Sequence, residues 1–284
     1  MKKMRVFLIV LLSLHVTGCS IVSVGYNHAD AYLRYSINSY ATFNDVQKET
    51  IKNEVDIFML WHRKSMLPEY VDFLQQLQRT AQSGEQLKKQ DAARFRTGVH
   101  ALYVKTMQPT VMPAAKLLSR LDSGQIEELI TSFDKENKKR REKVLGGSPD
   151  EQLRKRAERT IGILEDLVGG FNDEQLEKIR GMSNHLPPVT LIYIQTREDN
   201  QAQMIALLKN KKGEEVIAAF LASWLLAADS TRSSEARSTL RTFENATDEM
   251  IVSTYEILSD RQRKTLLRNI LKYIDSFNEI AGKT

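Results

Sequence analysis

Apolar residues return every three or four positions along most of the 284-residue chain. That spacing gathers them on one side of an α-helix. Val46, Ile51, Val55, Phe58 and Trp61 form such a stripe over 44–66, and Tyr70, Val71, Phe73, Leu74 and Leu77 form another behind Pro68, which suits a helix's first turn. Ser83 with Gln86 offers a cap for a helix over 85–107, and Pro109 and Pro113 set off a short piece over 114–120. Ile126, Leu129, Ile130 and Phe133 begin a helix that grows heavily charged before Gly146-Gly147. Ser148-Pro149-Asp150-Glu151 restarts one that Gly169-Gly170 ends. After a helix over 172–183 and the rigid Leu186-Pro187-Pro188, the β-branched run Val189 to Ile194 is the one place where a strand competes. No second run offers it a partner, so it is predicted to open a buried helix over about 190–210. The segment 213–229, with Val216, Ile217, Phe220, Leu221, Trp224 and Leu225, is apolar enough to sit centrally. Helices over 234–257 and 259–281 complete the chain, the last with a regular face of Leu266, Leu267, Ile270, Leu271, Ile274 and Phe277. The fold class predicted is all-α, an elongated array of about eight to ten helices in hairpins or a bundle. No glycine-serine linker interrupts it, so 43–284 reads as a single helical domain.

One device recurs. Phe43-Asn44-Asp45-Val46-Gln47, Leu121-Asp122-Ser123-Gly124-Gln125, Phe171-Asn172-Asp173-Glu174-Gln175 and Leu258-Ser259-Asp260-Arg261-Gln262 share an apolar residue, a capping residue, two positions and a glutamine. Each spells a capping box: the second side chain accepts from a free helix N–H, and glutamine reaches back to the cap's own N–H. Leu121 with Ile126 and Phe171 with Leu176 complete hydrophobic staples. Lys48 and Arg263 stand where the other two staples would close.

The start of the chain carries another pattern. Lys2, Lys3 and Arg5 precede the apolar run Val6 to Leu14, and small residues follow, which reads as a secretory signal over 1–18. Cys19 is the sole cysteine, directly after Thr17-Gly18. This arrangement resembles the lipobox of bacterial lipoproteins, which implies removal of 1–18 and acylation of Cys19, with palmitate among the chains. Ser20 in the next position resembles the outer-membrane sorting pattern of Gram-negative bacteria, so the expected location is the cell envelope, lipid-anchored and facing the periplasm. Residues 19–42 then read as a lipidated tether with a short helix at about 28–40. Its Tyr26, Tyr32, Tyr35 and Tyr40 either meet the headgroup boundary or pack on the helical body, and packing is the preferred reading.

Loss of the signal takes three cations from 41, leaving 38 against 36 Asp+Glu, so the formal charge falls from +5 to +2. A nucleic-acid role loses its first support. With the one thiol acylated, no disulfide framework or thiolate metal site remains. The five histidines (His15, His28, His62, His100, His185) are scattered, and no nucleophile elbow, phosphate loop or dinucleotide fingerprint is present. His62 reads as a surface or internally satisfied helix residue. Adjacent carboxylates such as Glu127-Glu128 and Glu214-Glu215 diverge on a helix. The expectation is a non-enzyme with no catalytic residue, cofactor or metal. The most uneven charge runs from Lys135 to Arg159. If 122–145 and 149–168 form a hairpin, Lys138, Lys139, Arg140, Arg141, Arg154, Lys155 and Arg156 occupy its tip as a patch for anionic lipid or polysaccharide; a solvated helix face is the preferred reading.

The repeated apolar-cap-x-x-Gln device is similar to the L-T-x-x-Q motif of small helical periplasmic chaperones of the Spy and CpxP type. Over most of the chain, the lipobox, Tyr26-Asn27-His28-Ala29-Asp30, Phe43 to Gln47, Trp61-His62-Arg63 through Leu67-Pro68 and Gln125 through Phe133 to Asn137 together resemble an uncharacterised family of proteobacterial helical lipoproteins. The resemblance implies a lipidated envelope protein and carries no activity. The function expected is a membrane-tethered binding or interaction protein, chaperone-like or tied to envelope stress, with unfolded or envelope proteins as partners. The alternatives are a binder of anionic envelope lipid or polysaccharide, and a cell-wall hydrolase built from carboxylates far apart in sequence.

Overall fold

A computed structural model describes residues 19–282; the signal read at 1–18 lies outside the described residues. Among the described residues every regular element is helical. Helices α1 (Cys19–Asn27) and α2 (Ala29–Asn38) lead into α3 (Asp45–Trp61), α4 (Leu67–Gln82), α5 (Lys89–Met107), α6 (Val111–Leu118) and α7 (Ser123–Leu145). Then come α8 (Pro149–Val168), α9 (Asp173–His185), α10 (Thr190–Lys209), α11 (Glu214–Leu226), α12 (Ser234–Glu256) and α13 (Asp260–Gly282). The run from Val189 is helical from Thr190, as the want of a strand partner predicts. The short helix expected at about 28–40 is α2, a further helix, α1, precedes it, and α1 lies against α13.

Three local readings change. Ser83 ends α4 instead of starting α5: its hydroxyl donates to the Thr80 carbonyl, and Gly84 at φ +71° turns the chain away. Helix α5 starts at Lys89, where the Asp91 carboxylate accepts from the Lys88 N–H at 3.0 Å. Val46 leaves the α3 stripe and is 76 % exposed. Five residues separate it from Ile51, about 140° of rotation at 3.6 residues per turn, so it faces outward. Between α3 and α4, His62–Met66 forms a π-helical turn in which the Leu67 N–H reaches five residues back to the His62 carbonyl. It lies just ahead of Pro68, which brings no N–H to the ladder.

The packing shows an internal duplication. Phe43-Asn44-Asp45-x-Gln47-x-Glu49-x-Ile51 recurs as Phe171-Asn172-Asp173-x-Gln175-x-Glu177-x-Ile179. Helices α2–α7 then correspond in order to α8–α13. The contacts obey that correspondence: α2 packs on α3 as α8 packs on α9, and α3 on α6 as α9 on α12. Across the halves, α4 packs on α13 as α10 packs on α7, and α5 on α12 as α11 on α6. Among the described residues each half therefore packs its helices against the other's.

The largest buried cluster lies where α6, α7, α10 and α11 meet, with Ile217, Phe220 and Leu221 of α11 at its centre. Each such side chain removed from water contributes about 1.5–3 kcal/mol. A second cluster joins Val71 of α4 to Ile270 and Ile274 of α13. Gly98 of α5 is needed for close approach, since a Cβ there would come within 2.6 Å of the Phe73 ring of α4.

Candidate functional site

The four capping boxes meet in pairs. In the first pair, Gln47 Oε1 accepts from its own cap's Asn44 N–H at 3.0 Å and from Gln125 Nε2 at 2.7 Å. Its Nε2 donates to Gln125 Oε1 at 3.0 Å and to the Arg120 carbonyl at 3.3 Å. Gln125 mirrors this with the Asp122 N–H and the Thr42 carbonyl. Every donor and acceptor site of both amides is used, and both residues are buried. Gln175 and Gln262 repeat the arrangement in the second half, taking the Ile257 and Gly170 carbonyls. The caps thus start four helices and also clamp α3 to α7 and α9 to α13.

Phe43 and Leu121, the apolar residues ahead of the first two caps, form part of the wall of a cavity of about 430 Å3. That size falls in the range of small-molecule sites, roughly 300–1,000 Å3. Helix α2 supplies Leu33 and Ile37, and α3 supplies Ile51, Val55 and Phe58. Pro113, Ala114 and Leu117 come from α6, and Leu129 and Phe133 from α7. The hydroxyls in the wall are already engaged: Thr50 donates to the Val46 carbonyl, Thr110 to the Met107 carbonyl, and Tyr40 to the Glu136 carboxylate. Glu54 is the one charged residue in the wall, and its carboxylate has no ion pair or side-chain hydrogen bond among the described residues.

The second half treats the same place differently. Met182 stands in register with Glu54, counting from Phe43 and Phe171, and Met250 in register with Pro113, counting from Leu121 and Leu258. Both methionines pack into a core cluster with Ile161, Ile179 and Leu186. Flexible thioether chains fill such gaps readily. One half of the duplication is filled where the other carries a carboxylate and a ring.

Beside the cavity a polar relay ties α1 to the body. Tyr26 Oη lies 2.9 Å from His62 Nδ1, His62 Nε2 lies 3.2 Å from Tyr70 Oη, and Tyr70 Oη lies 2.6 Å from Thr106 Oγ1. Thr106 gives its one hydroxyl proton to the Leu102 carbonyl, so Tyr70 donates to Thr106 and Nε2–H donates to Tyr70. Burial pushes the His62 pKa below the usual imidazole range, which leaves Nδ1 without a proton and Tyr26 as the donor to it. Burial likewise raises the Tyr26 phenol, against the opposing effect of Arg63, so it is not an activated nucleophile. An unfolded imidazole takes a proton below about pH 6.5, while the folded one resists. Stability attributable to His62 is therefore full above that pH and falls as the solution is acidified. The denaturation midpoint of the parent should drop between about pH 7.5 and 5.5 by more than that of His62→Gln.

The tyrosines of the entry segment divide. Tyr26 and Tyr40 pack on the body as expected, whereas Tyr32 and Tyr35 are 69 % and 73 % exposed. They lie on the side of α2 opposite Leu33 and Ile37, which the cavity takes.

The basic cluster does not form a hairpin tip. Helix α7 packs on α10, and α8 packs on α9 and α13, instead of on each other. Arg141 clasps Glu198 with two bonds, Arg154 pairs with Glu158, and Lys155 pairs with Glu151. Arg156 donates to the Leu186 and Asn184 carbonyls at the end of α9. Lys138, Lys139 and Arg140 remain exposed on α7. Cys19 is the first residue of α1.

Sequence reading placed all four caps but missed that they pair, missed the cavity and missed Glu54, which looks like any solvated helix residue. The signal available was the departure of the first half from the second at two positions, Glu54 for Met182 and Pro113 for Met250. Comparison with curated proteins and with solved structures finds no match. A family model does match, over residues 39–237, from the end of α2 to the first turn of α12 and through three of the four glutamine caps. The chain belongs to DUF6279, a family of unknown function.

Proposed function

We propose that this is a lipid-anchored envelope protein that faces the periplasm and works by binding, not by catalysis, with the cavity between α2, α3, α6 and α7 as its receptor for an apolar group. The observation that carries the reading is the cavity wall: aliphatic and aromatic side chains from four helices around about 430 Å3, with the wall hydroxyls engaged within the protein. Such a space favours a ligand that brings carbon and asks for few hydrogen bonds. The lipobox-like start supports the address, since Cys19 opens a helix that is packed on α13 and carries α2 to the cavity wall. No helix among the described residues is long and apolar enough to cross a membrane. In this reading acylation of Cys19 supplies the attachment.

The test uses chain 19–284 with Cys19→Ser, which holds every helix described. Phenylnaphthylamine, a neutral apolar fluorophore, should bind it saturably with one site per chain. Ala114→Phe, which puts a ring into the cavity, should weaken binding by about tenfold or more, while Val46→Phe on the outward face of α3 should leave it unchanged. Equal binding by all three proteins would remove the proposal.

A further inference from the structure

Resting on that reading of the cavity, we infer that its ligand is an alkyl-chain amphiphile whose head carries an ammonium group, selected by Glu54. Three features lead there. Glu54 lies at the edge of the inward face of α3, one turn from both Ile51 and Phe58, and forms part of the cavity wall. It has no cationic partner among the described residues. A carboxylate at the edge of the wall attracts a cationic head and repels a fatty-acid carboxylate. Its counterpart in the second half, Met182, shows that the fold is completed at this position by an apolar side chain, so the charge serves something other than packing.

The wall also discriminates between kinds of apolar ligand. A peptide segment brings backbone N–H and C=O groups that need partners once buried. Thr50, Thr110 and Tyr40 have already spent their protons inside the protein. A hydrocarbon chain makes no such demand, so an alkyl chain suits the wall better than a peptide does.

The experiment displaces phenylnaphthylamine from the Cys19→Ser chain with dodecylamine, dodecanol and dodecanoate, each below its micellar concentration, at neutral pH. Dodecylamine should compete about tenfold more strongly than dodecanoate, with dodecanol between them. Glu54→Gln should bring the three together, and Glu54→Lys should reverse their order. Equal potency in the parent, or an order that survives in Glu54→Gln, overturns the ammonium assignment and leaves the apolar cavity standing. Failure of the fluorophore itself to bind overturns the cavity reading instead. A lysine-bearing apolar peptide that competes as well as dodecylamine would overturn the alkyl-chain assignment. Circular dichroism of both Glu54 variants, expected to match the parent, shows that the changes act on binding and not on folding.

Discussion

Arg96→Met should cost about 3–5 kcal/mol of folding stability, more than any other single change considered. Arg96, on α5, reaches across to α12, where Nε and Nη2 bind the two oxygens of Asp248 at 3.0 and 2.9 Å. Asp248 is 1 % exposed. Removing the guanidinium strands a carboxylate that water does not reach, and the low local dielectric makes that expensive. The third contact, to the more exposed Glu244 at 3.1 Å, contributes little because solvent screens it. A further outcome separates this mechanism from mere loss of packing. Replacing both partners, Arg96→Met with Asp248→Leu, should recover most of the loss, since no buried charge is left. Urea denaturation of the parent, single and double variants measures both, and a loss under about 1 kcal/mol for Arg96→Met would refute the account of this pair.

The second large effect is expected at the glutamine clamps. Gln175→Leu keeps the volume close but deletes an amide that is bonded on every side. Gln262 loses its reciprocal partner, and the Asn172 N–H and the Ile257 carbonyl lose theirs. Buried groups left without partners cost about 1–3 kcal/mol each before relaxation, so a total near 3 kcal/mol is expected, with a drop of roughly 6–12 °C in melting temperature. Asn172→Ala removes only the forward half of the cap and should cost about 1 kcal/mol. A fall no larger than that for Gln175→Leu would mean that the paired amides add nothing beyond ordinary capping.

These two predictions also show what the sequence made legible. The four caps are local: cap and glutamine lie three residues apart, so the pattern of Asn44 with Gln47, or Asn172 with Gln175, is visible in five letters. Their pairing is not local. Gln47 meets Gln125 across 78 residues and Gln175 meets Gln262 across 87, and glutamine carries no mark of which partner it will find. Helix periodicity likewise identified α7, α11 and α13 and placed α11 at the centre, because burial follows the apolar stripe. It failed at Val46, whose apolar side chain lies outside the stripe, and at Ser83, where Gly84 overrides a plausible cap.

Arg96 and Asp248 were invisible for a different reason. Charged residues on helices are usually solvated, and only the approach of α5 to α12 turns this pair into an interior one. The basic run from Lys135 to Arg159 shows the same limitation from the other side. Its charges are adjacent in sequence, yet α7 and α8 carry them to different neighbours, and Arg141, Arg154, Lys155 and Arg156 each acquire a partner. For the cavity, the sequence held both the lining residues and the register of the duplication. What it lacked was the packing that leaves the space between four helices open on one side of the molecule and filled by Met182 and Met250 on the other.

The most direct test of the cavity's role is photolabelling. A dodecylamine carrying a diazirine along its chain would be bound to the Cys19→Ser protein, irradiated and located by peptide sequencing. Labels confined to the cavity wall, on α2, α3, α6, the first turns of α7 and the wall residues between them such as Phe43 and Leu121, and suppressed by Ala114→Phe, are the expected result. Labels scattered over outward-facing residues such as Ile163 on α8 or Leu191 on α10, unaffected by that substitution, would contradict it.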